Sequence, residues 1–146
     1  MQNYSNYRVV IIDDNSKDGS MDVYTKYLTF YNIHPNKYLF IRNTKRVTAL
    51  QNIYLNAIKH CAFNDIVVTV DADDELIGRN VFQVFNWGYQ TLKSGVLYSN
   101  YYHYNHVSSV MDPGFTYNRY YTDNDKRWNR YRTVSMRFSH LRSFRN

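Results

Sequence analysis

The sequence predicts an α/β fold: a mostly parallel sheet flanked by helices. Three observations predict it. Short apolar runs of strand type alternate with longer stretches of helical period through residues 8–102. Two of those runs stop abruptly at aspartates, as strands do on reaching the rim of a sheet. The repeated order of strand, helix and strand is that of parallel crossover units. A chain of 146 residues can bury a core of its own, and it is read as one domain.

The elements follow in order. Residues 8–13 form a first strand, Arg8-Val9-Val10-Ile11-Ile12-Asp13. Residues 20–33 form a helix with Val23, Tyr27, Phe30 and Tyr31 on its inward face, broken by Pro35 and Asn36. Residues 38–41 are a second strand. A helix from about residue 46 carries the apolar stripe Val47, Leu50, Tyr54, Ala57 or Ile58, and Cys61. Residues 66–70 are a third strand. Residues 78–93 form a helix with Val81, Phe82, Phe85, Tyr89 and Leu92 inward, and Gly88 is its weak point. Residues 96–102 are strand-like. Residues 103–130 are polar and aromatic, turn at Pro113 and Gly114, and read as a long loop of functional type.

The chemistry gathers where strands end. Val67, Val68, Thr69 and Val70 run directly into Asp71-Ala72-Asp73-Asp74-Glu75. Asp71 and Asp73 stand at i and i+2, so in an extended segment both carboxylates face one way. Paired hard oxygen donors suit Mg²⁺ or Mn²⁺, and such ions suit a diphosphate. A helix cap and its neighbour would give the same two acids. The first strand repeats the plan, ending in Asp13-Asp14-Asn15-Ser16-Lys17-Asp18-Gly19-Ser20. For Asp13 an Asx turn that stops the strand is the other reading. For Asp18 and Ser20 helix capping is the preferred one.

Ile12-Asp13-Asp14-Asn15-Ser16-Lys17-Asp18-Gly19-Ser20, followed some fifty residues later by Val70-Asp71-Ala72-Asp73-Asp74, resembles the family 2 glycosyltransferases of GT-A (Rossmann-like) fold. That family carries an Asp-Asp-x-Ser-x-Asp-Gly-Ser/Thr loop and an Asp-x-Asp motif. Between them, Asn43-Thr44-Lys45-Arg46-Val47-Thr48-Ala49-Leu50-Gln51-Asn52 is similar to a family segment in which Asn52 fits, Gln51 replaces an Arg and a Gly is missing. Ser139-His140-Leu141-Arg142-Ser143-Phe144-Arg145 is similar to a subgroup's His-Leu-Arg-Thr-Phe-Arg.

The resemblance implies sugar transfer from a nucleotide-diphospho-sugar, a UDP-sugar favoured, to an acceptor hydroxyl on a glycan, lipid or protein. Transfer would be metal-assisted and inverting. Asp73 would bind the Mn²⁺ or Mg²⁺, and Asp71 would help through the metal or the ribose. Asp14 and Asp13 would contact the nucleobase or ribose, with Asn52 beside them. Relatives also have a strand before the first motif and a general base after the last. Neither is in this sequence, so a partial domain is expected. Residues 1–102 would be its nucleotide-sugar-binding part and 103–146 the start of its acceptor-side part. Asp112, Asp123 and Asp125 are acids that could stand in for the base, and no catalytic residue is assigned. A catalytically incomplete nucleotide-sugar-binding fragment is the alternative.

Composition bounds the remaining classes. Hydrophobic residues make up 44% and aromatics 18%, which excludes a disordered chain. No apolar run approaches the ~20 residues of a membrane span, and no leader opens the chain, so a cytoplasmic location is expected. Single Cys61 excludes an internal disulfide and reads as a packed thiol. Of the net charge of +6, the basic excess lies in residues 126–146, which hold seven Lys and Arg and no acid. That run, with Trp128, Tyr131, Phe138 and Phe144, is the feature a nucleic-acid-binding domain would need. It reads better as a solvated face with a few arginines near the diphosphate, so no nucleic-acid partner is expected. His103, His106 and His140 lack the tight spacing of metal ligands.

Overall fold

The computed structural model describes residues 2–113 and 142–146. These contain an α/β arrangement of small sheets and helices that falls into two compact units. The first takes the described residues within Met1–Val67, Gly78–Gln83 and Asn146. The second takes those within Val68–Ile77 and Val84–Arg145.

In the first unit, β1 (Val9–Asp13) pairs in parallel with β2 (Tyr38–Arg42). The register sets Val10 beside Leu39, Ile12 beside Ile41 and Asp13 beside Arg42. This is the expected parallel crossover, with α1 (Ser20–Phe30) between the strands.

Helix α1 opens behind Gly19, whose φ of 78° is left-handed and suits glycine. Asp18, one residue before the Gly19 N-cap, accepts from the Ser20 N–H at 3.0 Å and from its hydroxyl at 2.6 Å. Neither Asp18 nor Ser20 is itself the N-cap, the role the sequence reading gave them. The helix was expected to reach residue 33 and instead ends at Phe30. Asn32 is left-handed at φ 48°, and the Asn32 and Ile33 N–H groups donate back to Thr29 and Leu28 carbonyls. Those paired bonds close the helix as a Schellman motif.

The inward face of α1 also differs from expectation. Val23, Tyr27, Phe30 and Tyr31 are exposed, while Met21, Tyr24 and Leu28 are half-buried. Tyr24 leans on Phe40 of β2, with centroids 6.4 Å apart. The helix carries two overlapping apolar stripes, and contact with β2 selects the narrower one.

The next helical stretch has three parts: α2 (Ala49–Asn52), a π turn at Ile53–Ala57 and a 3₁₀ turn at Ile58–His60. Thr48 caps it, its hydroxyl accepting from the Gln51 N–H at 3.2 Å. The expected stripe is not what this stretch buries. Leu50 and Tyr54 are exposed, and Asn52 is buried. The π turn widens the helix and moves the phase of everything after it. Cys61 is half-buried, with its Sγ donating to the Ala57 carbonyl, and burial pushes its thiol pKa up.

In the second unit a sheet runs in the order β3 (Ile66–Thr69), β7 (Arg142–Arg145), β4 (Val96–Tyr98). The Ile66 and Val67 end of β3 counts with the first unit. β4 and β7 are antiparallel, which the sequence reading of a mostly parallel sheet did not foresee. Strand 96–102 is two strands. The second, β5 (Tyr102–Asn105), forms an antiparallel hairpin with β6 (Val110–Pro113) where a loop was expected. Asn105 builds its turn, its side-chain oxygen accepting from the Val107 and Ser108 N–H groups. The rest of the expected loop, with Asp123, Asp125, Trp128, His140 and most of the basic run, lies outside the described residues.

Helix α3 (Val81–Leu92) buries Phe85 and Tyr89 as read, and Gly88 as well, while Val81 and Phe82 are half-buried and Leu92 is exposed. Gly88 serves a close approach, since a Cβ there would stand 2.7 Å from Leu97 Cδ1. Tyr89 and Ser143 are each 1% exposed. The Ser143 hydroxyl donates to the Leu97 carbonyl at 2.8 Å, so it accepts the Tyr89 hydroxyl proton across 2.9 Å. The Arg145 guanidinium lies 5.5 Å above the Tyr89 ring. Ser143→Ala would leave the buried Tyr89 hydroxyl without an acceptor, and is expected to cost about 1–3 kcal/mol. Tyr89→Phe should cost less, about 0.5–1.5 kcal/mol, because Ser143 keeps Leu97. The pair is expected to be non-additive in urea titrations, the double variant costing less than Ser143→Ala alone because no buried hydroxyl is then stranded.

Candidate functional site

The end of β1 is built from a carboxylate that stops the strand. Asp13 is 7% exposed. Its Oδ1 accepts from the Ser16 N–H at 2.8 Å, which is the Asx-type turn the sequence allowed. Asn15 sits between them at φ 64°, a left-handed position asparagine tolerates. The other oxygen, Oδ2, is buried and accepts no hydrogen bond from the described residues. Arg42 Nε stands 3.2 Å from it as an ion pair, without the alignment of a hydrogen bond. Arg42 instead spends Nη2 on the Ser16 carbonyl at 3.2 Å. A cleft of about 110 Å³ opens here, lined by Asp13, Ser16, Lys17, Gly19, Ser20 and Arg42 among others.

Asp14 turns the opposite way in purpose. Its Oδ1 accepts from the Asn43 amide at 2.7 Å and from the Val47 N–H at 2.8 Å. The same Asn43 amide donates to Asn52 Oδ1 at 2.7 Å, and Asn56 donates to Asn52 at 3.0 Å. The Asn43 N–H also donates to the Asp13 carbonyl at 2.9 Å. The structure therefore brings Asp13, Asp14 and Asn52 together, through an asparagine that the sequence reading did not single out. Asn43 follows β2 directly, and its place at a strand end opposite a first-motif aspartate was the available signal. Arg42 was missed for the same reason.

Hydrogen bonding holds these acids below the ordinary carboxylate value near 3.8. For Asp13 the cause is chiefly Ser16, through its side chain and N–H, with the Arg42 charge adding and burial opposing. For Asp14 it is the Val47 N–H, then Asn43, with Asn52 and the Arg46 charge adding. For Asp18 it is Ser20.

Asp71 and Asp73 belong to the second unit, where both are exposed. They do not lie on an extended segment as expected. The Asp74 N–H donates to the Asp71 carbonyl at 3.0 Å, so residues 71–74 form a turn with Asp73 inside it. The ladder of β3 ends at Thr69, and the three acids that follow favour a turn over a strand. Among the described residues, no three His, Cys, Asp or Glu side chains converge as a metal site. Asp112 is on β6, and Asp123 and Asp125 lie outside the described residues.

The match to known proteins covers the whole chain. The model of the family described as Glycosyl transferase family 2 matches residues 1–146. The chain belongs to this family. No curated protein and no solved structure matches it. Membership supports glycosyl transfer as the activity, and it implies a nucleotide-sugar donor and an acceptor. In this glycosyl transferase family 2 chain, the first acidic motif is a locked loop whose one oxygen without a hydrogen bond is ion-paired to Arg42. Among the described residues, no helix is long and apolar enough to cross a membrane.

Acid sensitivity follows from the depressed carboxylates. Their contribution to stability is complete above the unfolded value near 3.8, and it is lost as pH falls through the lower folded values. Asp14→Asn keeps an acceptor for Asn43 and Val47 but cannot titrate. It is expected to flatten the acid limb of a stability-against-pH curve, whereas Asp14→Ala should lower stability at neutral pH as well. Urea midpoints between about pH 2 and pH 6 check both.

Proposed function

We propose that this chain transfers a sugar from a nucleotide-diphospho-sugar to an acceptor hydroxyl, with a divalent cation at the diphosphate and inversion at the anomeric carbon. The observation that carries the nucleotide half is the first acidic motif, Asp13 and Asp14, fixed at the end of β1 beside a cleft that Asp13 helps to line. A carboxylate at such a rim can accept a hydrogen bond from a ligand. A nucleobase ring N–H supplies one. Asp14, Asn43 and Asn52 hold the loop that carries both acids. The GT-A arrangement is part of this reading. The parallel β1–β2 pair ending at the acids is what favours it.

Asp71 and Asp73 would hold Mn²⁺ or Mg²⁺. Their donor set fits: two exposed hard oxygen groups on one turn leave most coordination positions open to diphosphate oxygens. When bound, the cation neutralises charge growing on the leaving diphosphate. The protein's part is to hold both carboxylates on one turn. The catalytic base is not assigned to any described residue.

The alternative is a fragment that binds a nucleotide-sugar without transferring it. A transfer or donor-hydrolysis assay separates the two readings. Titration calorimetry with UDP is expected to give binding that strengthens on adding Mn²⁺. Asp73→Ala should erase the strengthening while leaving the metal-free component. Equal affinity with and without Mn²⁺ in the unaltered protein would end the metal-assisted reading.

A further inference from the structure

We propose that residues 2–7 form a strap that positions the turn carrying Asp71 and Asp73, by fixing the chain just after it. The proposal rests on the metal reading above and adds to it residues outside every acidic motif. The strap grips the segment that follows the turn. The Gln2 side-chain nitrogen donates to the Gly78 carbonyl at 2.8 Å, and its oxygen accepts from the Phe82 N–H at 3.3 Å. One side chain thus bridges the end of the acidic segment and the first turn of α3, where helix N–H groups lack intrahelical acceptors. The Asn3 N–H donates to the Arg79 carbonyl at 2.6 Å, and the Asn3 amide donates to Asn80 Oδ1 at 2.8 Å. The Tyr7 ring stands edge-on to Phe82, with centroids 5.1 Å apart.

The strap is itself anchored. Lys37, the residue before β2, donates from Nζ to the Ser5 carbonyl at 2.5 Å and lies 5.3 Å over the Tyr7 ring. All of these contacts lie within the first unit, and they act on the turn through the chain, since Gly78 follows Ile77. Gly78 is the natural pivot. Its φ of 83° is left-handed, and a Cβ there would meet nothing within 4 Å. The Gln2 bond to its carbonyl holds this pivot in place. Residues 71–75 are exposed, so burial does little to order them and the attachments at either end count. Before the turn, the Thr69 hydroxyl donates to the Arg142 carbonyl at 3.1 Å. After it comes the strap. A cation shared by two carboxylates needs both in one geometry, and a segment ordered in advance loses less freedom on binding. Gln2 and Asn3 are therefore positioning residues, acting on the cation through Asp71 and Asp73.

Two measurements test the proposal together. The first is the affinity for UDP with and without Mn²⁺ by calorimetry, and the second is amide hydrogen exchange across residues 71–78. Gln2→Ala is expected to lower the strengthening by Mn²⁺ about threefold to tenfold. UDP binding without metal should hold, whereas a merely structural loss weakens UDP binding in both conditions. Exchange across residues 71–78 should quicken in the same variant. Lys37→Met releases the strap at its other end and should shift both readouts in the same direction by less. The proposal stands only if both readouts move. If Gln2→Ala leaves the Mn²⁺ strengthening intact, or leaves the exchange unchanged, the strap does not position the turn, while the metal reading stands. If Mn²⁺ does not strengthen UDP binding in the unaltered protein, the metal reading falls, and this proposal with it.

Discussion

The side-chain amide of Asn43 is the interaction on which the first unit depends. One nitrogen with two hydrogens reaches Asp14 and Asn52, each at 2.7 Å. It thereby ties the loop after β1, the end of β2 and the start of the α2 helical stretch. Each partner is itself part-buried or buried and polar. Such groups are costly without hydrogen bonds, so the three segments are held by mutual need rather than by apolar contact. The first unit has little else to do this. Among its described residues Val67 is the buried apolar one, and β1 is half-buried along Val10, Ile11 and Ile12. The loop that presents Asp13 is thus fixed by polar chemistry laid over a thin core.

The second unit solves the same problem with a hydroxyl. Ser143 is small enough to sit under Tyr89 and polar enough to join it to the Leu97 carbonyl. That links α3 to the β7–β4 ladder at the one point where Gly88 lets Leu97 come close. Thr69, the last residue of β3, donates to the Arg142 carbonyl. The strand that leads to the Asp71–Asp74 turn is therefore pinned, two residues before the turn, by the segment resembling His-Leu-Arg-Thr-Phe-Arg.

Much of this was legible beforehand where a residue's chemistry is local. Apolar runs stopped by aspartates located β1 and β3, and capping chemistry located the start of α1. The acids of the first motif were found because two in a row after a strand are conspicuous. What stayed hidden depends on partners far along the chain. Asn43 and Arg42 look like ordinary residues at a strand end until β2 is laid beside β1. The face of α1 was misread because aromatic residues lie on both of its stripes, and only Phe40 decides between them. Asn52 was legible by resemblance, while its burial was hidden behind the apolar Leu50 and Tyr54 nearby. The antiparallel β4–β7 pair could not be read from local pattern, since 46 residues separate Leu97 from Ser143.

The span of the Asn43–Asp14 bond also orders the events of folding. Its ends are 29 residues apart, and β1 and β2 are parallel, so neither can form by local zipping. Helix α1, with its own cap and Schellman ending, needs no such closure. It can form first and act as the spacer that brings the two strand ends together. The Asp13–Ser16 turn is local, whereas its clasp to Asn43 waits on that closure. The reverse journey starts at the same place: the polar clasp is the natural point for sub-global opening, ahead of the helix it encloses.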